Sequence, residues 1–358
     1  FRRVLFRSNN RKRESKIMLK ITNEKNVQEL AKMFYTAKSV SSSQVTREED
    51  GFSYQTMSPS WTSNENSSYM HRIITTGSNV LAVAGSFDHI IDMAMYGARN
   101  IYAVDVNPLQ FPVDWLKYQA VMSLTAGQFK KFALNTRADM LSNELMSIIL
   151  ERTEDSVEKE FWEKVYSEKT PMDIRMDYLM NERSYVINRS ERVVKFDYPE
   201  YSLWNRARKA LEEAEIYEEE KDILEVQLPE KSMDVIHLSN IHNFYRPAEF
   251  ALKVRNISKF LKQDGSIVLY CIGMKPEWFE AVRNGSDRLP LYQTDFNMAV
   301  CAKNPLLMKG LQQQISFTML LYQELLNDFE VEVIPVRTGK GFVGYNTTTD
   351  VVLAARHK

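Results

Sequence analysis

The chain has 358 residues, 44% of them hydrophobic and 26% charged, and its 46 basic side chains are nearly cancelled by 47 acidic ones. A formal net charge of -1 removes any global attraction to nucleic acid or anionic membranes, so no nucleic-acid partner is expected and membrane contact is at most peripheral. Two cysteines, Cys271 and Cys301, are too few for a disulfide framework or a cysteine metal site, which fits the cytoplasm, and no apolar run approaches the length of a bilayer span.

The basic segment 1–17 ahead of Met18 is expected to be non-native or disordered, the alternative being a basic arm for RNA or lipid. From Leu19 to Ala37 apolar residues recur at helical spacing (Leu30, Met33, Phe34, Ala37), and the Ser-rich stretch Ser39 to Ser43 ends the pattern. Together with Met57 to Met70, a polar stretch holding Trp61 and Tyr69, this forms an N-terminal helix and lid loop over 18–76. At Asn79 the character changes. Asn79 to Asn107 reads as a β-α-β unit, with apolar runs at Val80–Ala84 and Ile101–Val104 that lack polar alternation, as buried parallel strands do. A right-handed crossover puts both strands in one sheet. Leu109 to Ser123 supplies a further amphipathic helix.

The segment 128–204 lacks any β-α-β signal and is read as a helical insertion into an α/β domain formed by 77–127 and 205–358. Asn205 to Glu220 reads as a helix whose acidic run, Glu212 to Glu220, is a solvated face. Strands are then expected at Asp222–Val226, Met233–Leu238 and, after the turn Gln263-Asp264-Gly265, Ser266–Ile272, with a helix between Ala248 and Leu261. A long helix over Leu306–Asn327 precedes a closing pair of strands, Glu330–Val336 and Asp350–Ala355, joined through a Gly-rich turn (Gly339, Gly341, Gly344). The fold class is therefore α/β: a doubly wound, mostly parallel sheet with a C-terminal antiparallel hairpin and a helical insertion.

In such sheets ligands sit beyond the carboxyl ends of the strands. Gly85, Ser86 and Asp88 follow the first strand, where the next helix offers free backbone N–H groups. Asp105 follows the second, twenty residues beyond Gly85, with Val106 and Asn107 after it; that spacing brings an acidic side chain to ribose hydroxyls. Asp222 and Ile223 suit an adenine, one accepting from the amino group and the other packing on the base. Ser239, Asn240, His242 and Tyr245 follow the strand at the centre of the crevice. His242 and Tyr245, with Glu65 from the N-terminal loop, are the candidate proton acceptors. A full G-x-G-x-x-G fingerprint is missing, since Phe87 and His89 stand where a pyrophosphate would favour glycine, so a ligand without a pyrophosphate fits better. S-adenosylmethionine is such a ligand. No P-loop, nucleophile elbow or metal-ligand motif is present.

The run VLAVAGSFDHIIDMAMYGARNIYAVDVNPLQ, with WTSNEN before it, LKYQAVMSLTAGQF after it and DVIHLSNIHNF further on, resembles the family of betaine-lipid 3-amino-3-carboxypropyl transferases. The resemblance covers roughly Trp61 to Phe132 and Asp222 to Ile272. It implies a class I methyltransferase fold in which Gly85, Ser86 and Asp88 hold the amino-acid end of S-adenosylmethionine, Asp105 and Asn107 lie near the ribose, and Ser239 and Asn240 face the reacting centre. One departure is that relatives carry Gly where Phe87 stands, which implies either a displaced loop or a shifted methionine end. The favoured activity is transfer of the 3-amino-3-carboxypropyl group to a small or lipid-like acceptor, leaving methylthioadenosine. The alternatives are a methyltransferase and a module that binds S-adenosylmethionine without turnover.

Overall fold

The computed structural model describes residues 19–22, 25–37, 59–61, 65, 67–134, 141–174, 201–272, 274–285, 305–337 and 349–358. The expectations for 1–17, Ser39–Ser43, Cys301 and the turn at Gly339, Gly341 and Gly344 fall outside these residues. The chain opens with β1 (Leu19–Thr22) and α1 (Val27–Thr36), continues through β2 (Asn79–Val83), α2 (Asp88–Met95), β3 (Asn100–Asp105) and α3 (Gln110–Ser123), and then forms α4 (Asn143–Glu151), α5 (Val157–Glu168) and α6 (Tyr201–Glu213). It closes with β4 (Glu215–Glu220), β5 (Met233–His237), α7 (Pro247–Ser258), β6 (Leu261–Cys271), α8 (Pro276–Arg283), α9 (Pro305–Asp328), β7 (Phe329–Arg337) and β8 (Thr349–His357).

The eight strands form one sheet in the order β1-β4-β3-β2-β5-β6-β8-β7. β1 through β6 pair in parallel, while β8 runs antiparallel between β6 and β7. Both faces of the sheet are covered. Val80 and Ala82 of β2 turn to one apolar cluster with Ile90, Val113 and Leu116, and Leu81 turns to the other with Phe250, Val254 and Tyr322. That explains why the central strand shows no polar alternation. Trp162 of α5 packs edge-on against Phe34 of α1, with ring centroids 6.0 Å apart, and its indole N–H donates to the Pro112 carbonyl at 2.7 Å. These helices thus share the core cluster of the α2–α3 face. No helix among the described residues is long and apolar enough to cross a membrane.

Four expectations are corrected. The helix expected from Leu19 begins only at Val27, because Leu19–Thr22 pairs in parallel with β4 and Asn26 caps α1. The Asn26 side chain accepts from Glu29 N–H at 3.0 Å while Glu29 reaches back to Asn26 N–H at 3.1 Å, a reciprocal cap. The acidic run ends in a strand, not a helix. In Glu215–Glu220, Ile216 and Glu218 point inward and Tyr217 stacks on Tyr102 of β3 at 5.3 Å, so pairing on both edges overrides the helical preference of glutamate. The strand expected at Asp222–Val226 is instead a short 3-10 turn, Ile223–Glu225. The turn Gln263-Asp264-Gly265 sits inside β6, where the register jumps from Met233↔Leu261 to Val235↔Ser266.

The Gly97-Ala98 break between α2 and β3 requires its glycine. Gly97 has φ +108 and a Cβ there would sit 2.9 Å from Thr76 Cα. Gly97→Ala is expected to destabilise the fold by about 1–3 kcal/mol, read as a lowered midpoint in urea unfolding.

Candidate functional site

The order of strands reverses direction between β2 and β5, so the carboxyl ends of these two neighbours open the crevice. After β2 the chain turns at Gly85 (φ 55) and again at Phe87 (φ 64) before α2 begins at Asp88. The backbone at Phe87 is one that glycine adopts freely and that a side chain adopts at a cost of roughly 1–2 kcal/mol. Burial offsets the cost: the Phe87 ring is fully enclosed and meets Tyr118 edge-on at 6.3 Å. The bulky residue therefore keeps a left-handed turn.

Beneath the turn lies Lys117 of α3, 2% exposed. Its ammonium donates to the Ser86 carbonyl at 2.7 Å and to Asp88 Oδ1 at 2.7 Å, and it lies 5.2 Å from the Trp61 ring centroid. Asp88 Oδ2 accepts from the Ser86 hydroxyl at 3.0 Å. The Asp88 carboxylate is thus engaged in holding the turn. Trp61 takes its cation–π contact from Lys117, and its indole N–H donates to Ala133 carbonyl at 3.0 Å.

Asp105 ends β3. Its Oδ2 accepts from Gly85 N–H at 3.3 Å and its Oδ1 from Asn107 N–H at 2.9 Å, with Val106 N–H a further donor. Burial raises its carboxyl to about 6, and these backbone donors hold it from rising further. Asn107 is itself fixed, its side-chain oxygen accepting from Leu109 N–H at 3.1 Å. Beyond β4, Asp222 caps the following 3-10 turn through Leu224 N–H at 2.8 Å, and Ile223 is buried beside it. Tyr245 donates its hydroxyl to Asp222 Oδ2 at 2.9 Å, so this tyrosine belongs to the Asp222 end of the crevice.

Ser239 follows β5 in a left-handed conformation (φ 53), its carbonyl accepting from Tyr270 N–H at 2.8 Å. Its hydroxyl donates to Glu65 Oε1, while Glu65 Oε2 lies 3.4 Å from His89 Nε2. Glu65 accordingly bridges the β5 end to the first turn of α2. Burial lifts its carboxyl to about 8, opposed by the Ser239 bond and aided by the Asp350 charge. Asn240 is half-buried and begins the next 3-10 turn. His242, in that turn, points into the helical layer: its Nε2 is 3.4 Å from Thr318 Oγ1 of α9 and its ring centroid 6.3 Å from Phe250 of α7. Desolvation pulls it down to about 4, so it is neutral at physiological pH.

Several members of the cluster carry no sequence motif. His89 lies with its ring centroid 5.4 Å from His237 of β5, whose Nε2 meets the Tyr69 hydroxyl at 2.6 Å. Tyr69 packs on Tyr270, which donates to Asp350 Oδ2 at 2.7 Å. Burial depresses both histidines, His89 to about 4. At neutral pH the group is therefore a protonated acid among neutral imidazoles. Lys117, His89 and His237 carry one sequence signal for this arrangement, a charged or polar residue amid apolar positions of α3, α2 and β5.

The strand order, with β8 antiparallel between β6 and β7, decides the fold. It is the class I methyltransferase fold. No protein-family model matches the chain, and no curated protein does. Solved structures that are similar to it include an S-adenosylmethionine-dependent methyltransferase from Methanosarcina mazei, at 10% identity and TM-score 0.34 over 81% of this chain and 97% of that one. A precorrin-8w decarboxylase from Methanobacterium thermoautotrophicum matches at 12% identity and TM-score 0.30 over 84% of this chain and 94% of that one. The N-methyltransferase NodS from Bradyrhizobium japonicum matches at 10% identity and TM-score 0.31 over 79% and 87%.

Lys117→Met removes the cation that faces Asp88 and strands a buried carboxylate. The expected loss is on the order of 3–5 kcal/mol, largely recovered in the Lys117→Met/Asp88→Asn double variant, both measured by urea unfolding.

Proposed function

We propose that this protein is a transferase that uses S-adenosylmethionine. The observation carrying the reading is the Asp105 carboxylate, held by Gly85 and Asn107 N–H groups at the mouth of the β2–β5 crevice. Each oxygen of a carboxylate so held can accept further hydrogen bonds, which is what the hydroxyls of a ribose require. The space above Gly85 is open, since a Cβ there would meet nothing within 4 Å. These residues fit the cofactor.

In this reading Asp105 accepts from the ribose hydroxyls, and Asp222, oriented by Tyr245, accepts from the adenine amino group with Ile223 against the base. Gly85 and Ser86 leave backbone room for the amino-acid end, and Asp88 serves by fixing the turn through Lys117. When bound, the cofactor supplies an electrophilic carbon on a sulfonium leaving group. The chain's own contribution is alignment of an acceptor with that carbon and exclusion of water, which in oriented systems is worth up to about 7–11 kcal/mol. Glu65 and Ser239 hold a proton beside the same crevice.

Methyl transfer is the reading the fold supports best. Transfer of the 3-amino-3-carboxypropyl group to a small or lipid-like acceptor is favoured by the resemblance of the segments around Gly85 and Asp105. Incubation with S-adenosylmethionine and cell extract, followed by mass spectrometry, separates them: S-adenosylhomocysteine marks methyl transfer and methylthioadenosine marks aminocarboxypropyl transfer. Tight binding with neither product would favour a module without turnover.

Asp105→Ala is expected to weaken S-adenosylmethionine binding by about 1–3 kcal/mol. In the wild type, affinity should decline as pH falls through about 6, where Asp105 takes up its proton. An unchanged affinity in titration calorimetry would remove Asp105 from the site.

A further inference from the structure

Glu65 joins two elements that the fold brings together for a ligand: the β5 end, through the Ser239 hydroxyl, and the first turn of α2, through His89. Its side chain is only 1% exposed, and its two partners follow β5 and β2, the neighbouring strands between which the strand order reverses. The groups that face it come from five elements. His89 of α2 is neutral, since burial holds its imidazole at about 4. Asp350 of β8 lies close enough to raise the Glu65 carboxyl and receives the Tyr270 hydroxyl. Tyr69, of the 3-10 turn Ser67–Arg72, and Cys271 of β6 are both pushed upward by burial and by the Glu65 charge, and so stay protonated. Ser239 donates to the carboxyl from the β5 end. Behind this shell, His237 is neutral and Asp92 is raised by burial. The ordinary state of Glu65 at neutral pH is the uncharged acid, with its carboxyl near 8.

We propose that Glu65 is a proton-exchange site for the sulfonium charge: it releases its proton as the positively charged cofactor binds and recovers one from the acceptor during transfer. This rests on the S-adenosylmethionine reading and specifies how the same crevice tells a charged cofactor from a neutral product. A cation entering a water-poor pocket beside a carboxyl favours the ionised form strongly. The pocket then keeps its net charge, since one positive charge enters and one proton leaves.

The transfer step restores the starting state. The acceptor's lone pair forms the new bond to carbon, and the carbon–sulfur pair stays on sulfur, which becomes a neutral thioether. The acceptor's O–H or N–H proton passes to Glu65, directly or through the Ser239 hydroxyl that already donates to it. With the positive charge gone, the neutral acid is again the stable form of Glu65. The acceptor class follows: a hydroxyl or an amine with a proton to give, and not a thioether.

The test is titration calorimetry of the whole chain in buffers of different ionisation enthalpy, comparing S-adenosylmethionine with S-adenosylhomocysteine. At pH 7 the wild type should release more than about half a proton per sulfonium ligand bound and close to none with the thioether. Above pH 8, where Glu65 is already ionised, the difference should shrink. In Glu65→Gln the two ligands should give equal proton counts, and the preference for the charged ligand should fall at least roughly tenfold. Equal proton counts for both ligands in the wild type, with both bound, overturn this proposal and leave the cofactor reading standing. Absence of binding by either ligand overturns both.

Discussion

Lys117 sits beneath the turn after β2 with its protons given to the Ser86 carbonyl and the Asp88 carboxylate. The turn cannot move without leaving a charge unpaired in a low-dielectric interior, so its position is set by electrostatics as much as by packing. The remaining geometry depends on it. Gly85 must stand where its N–H can reach Asp105, and His89, one residue into α2, must stand where it can reach Glu65. The turn after β2, the end of β3 and the N-terminal loop thus share one reference point.

Around that point the interior deals with its acids by two different devices. Asp105 is held by backbone donors and stays ready to ionise near neutrality, whereas Glu65 is kept neutral by burial. A third group lies further from the crevice. Asp114 of α3 and Glu218 of β4 are both raised well above the carboxylate range by burial, and each bears on the other, so the pair retains a proton at neutral pH. The acidic strand β4 is compatible with a buried sheet because its inward glutamate shares a proton with Asp114.

The β-α-β unit was legible from composition along the chain, since buried parallel strands leave long apolar runs and the turn between them leaves glycine. Gly85, Asp105 and Ser239 could be located as residues that follow such runs. β4 was not legible, because its alternation of inward Ile216 and Glu218 with outward Tyr217 and Glu219 is masked by having the same residue type on both faces. β1 was hidden by its length, four residues, and by the helix signal that follows it, although Asn26 and Glu29 carry the cap that separates them. The site was read only as far as strand ends reach. Lys117, His89 and His237 come from a helix interior, a helix start and a strand interior, and only the packing of distant segments makes them neighbours. The same holds for His242 and Tyr245, which lie a few residues apart yet serve the α9 layer and Asp222 respectively.

Phe87 combines a backbone suited to glycine with a side chain suited to the core. A smaller side chain would keep the unfavourable torsion and lose the ring's contacts with Tyr118, while glycine would relax the torsion and open a void. Neither single step improves both terms. Torsion and packing thus pull the choice of residue at this position in opposite directions, and Tyr118, as the ring's partner, sets how much packing weighs against the turn.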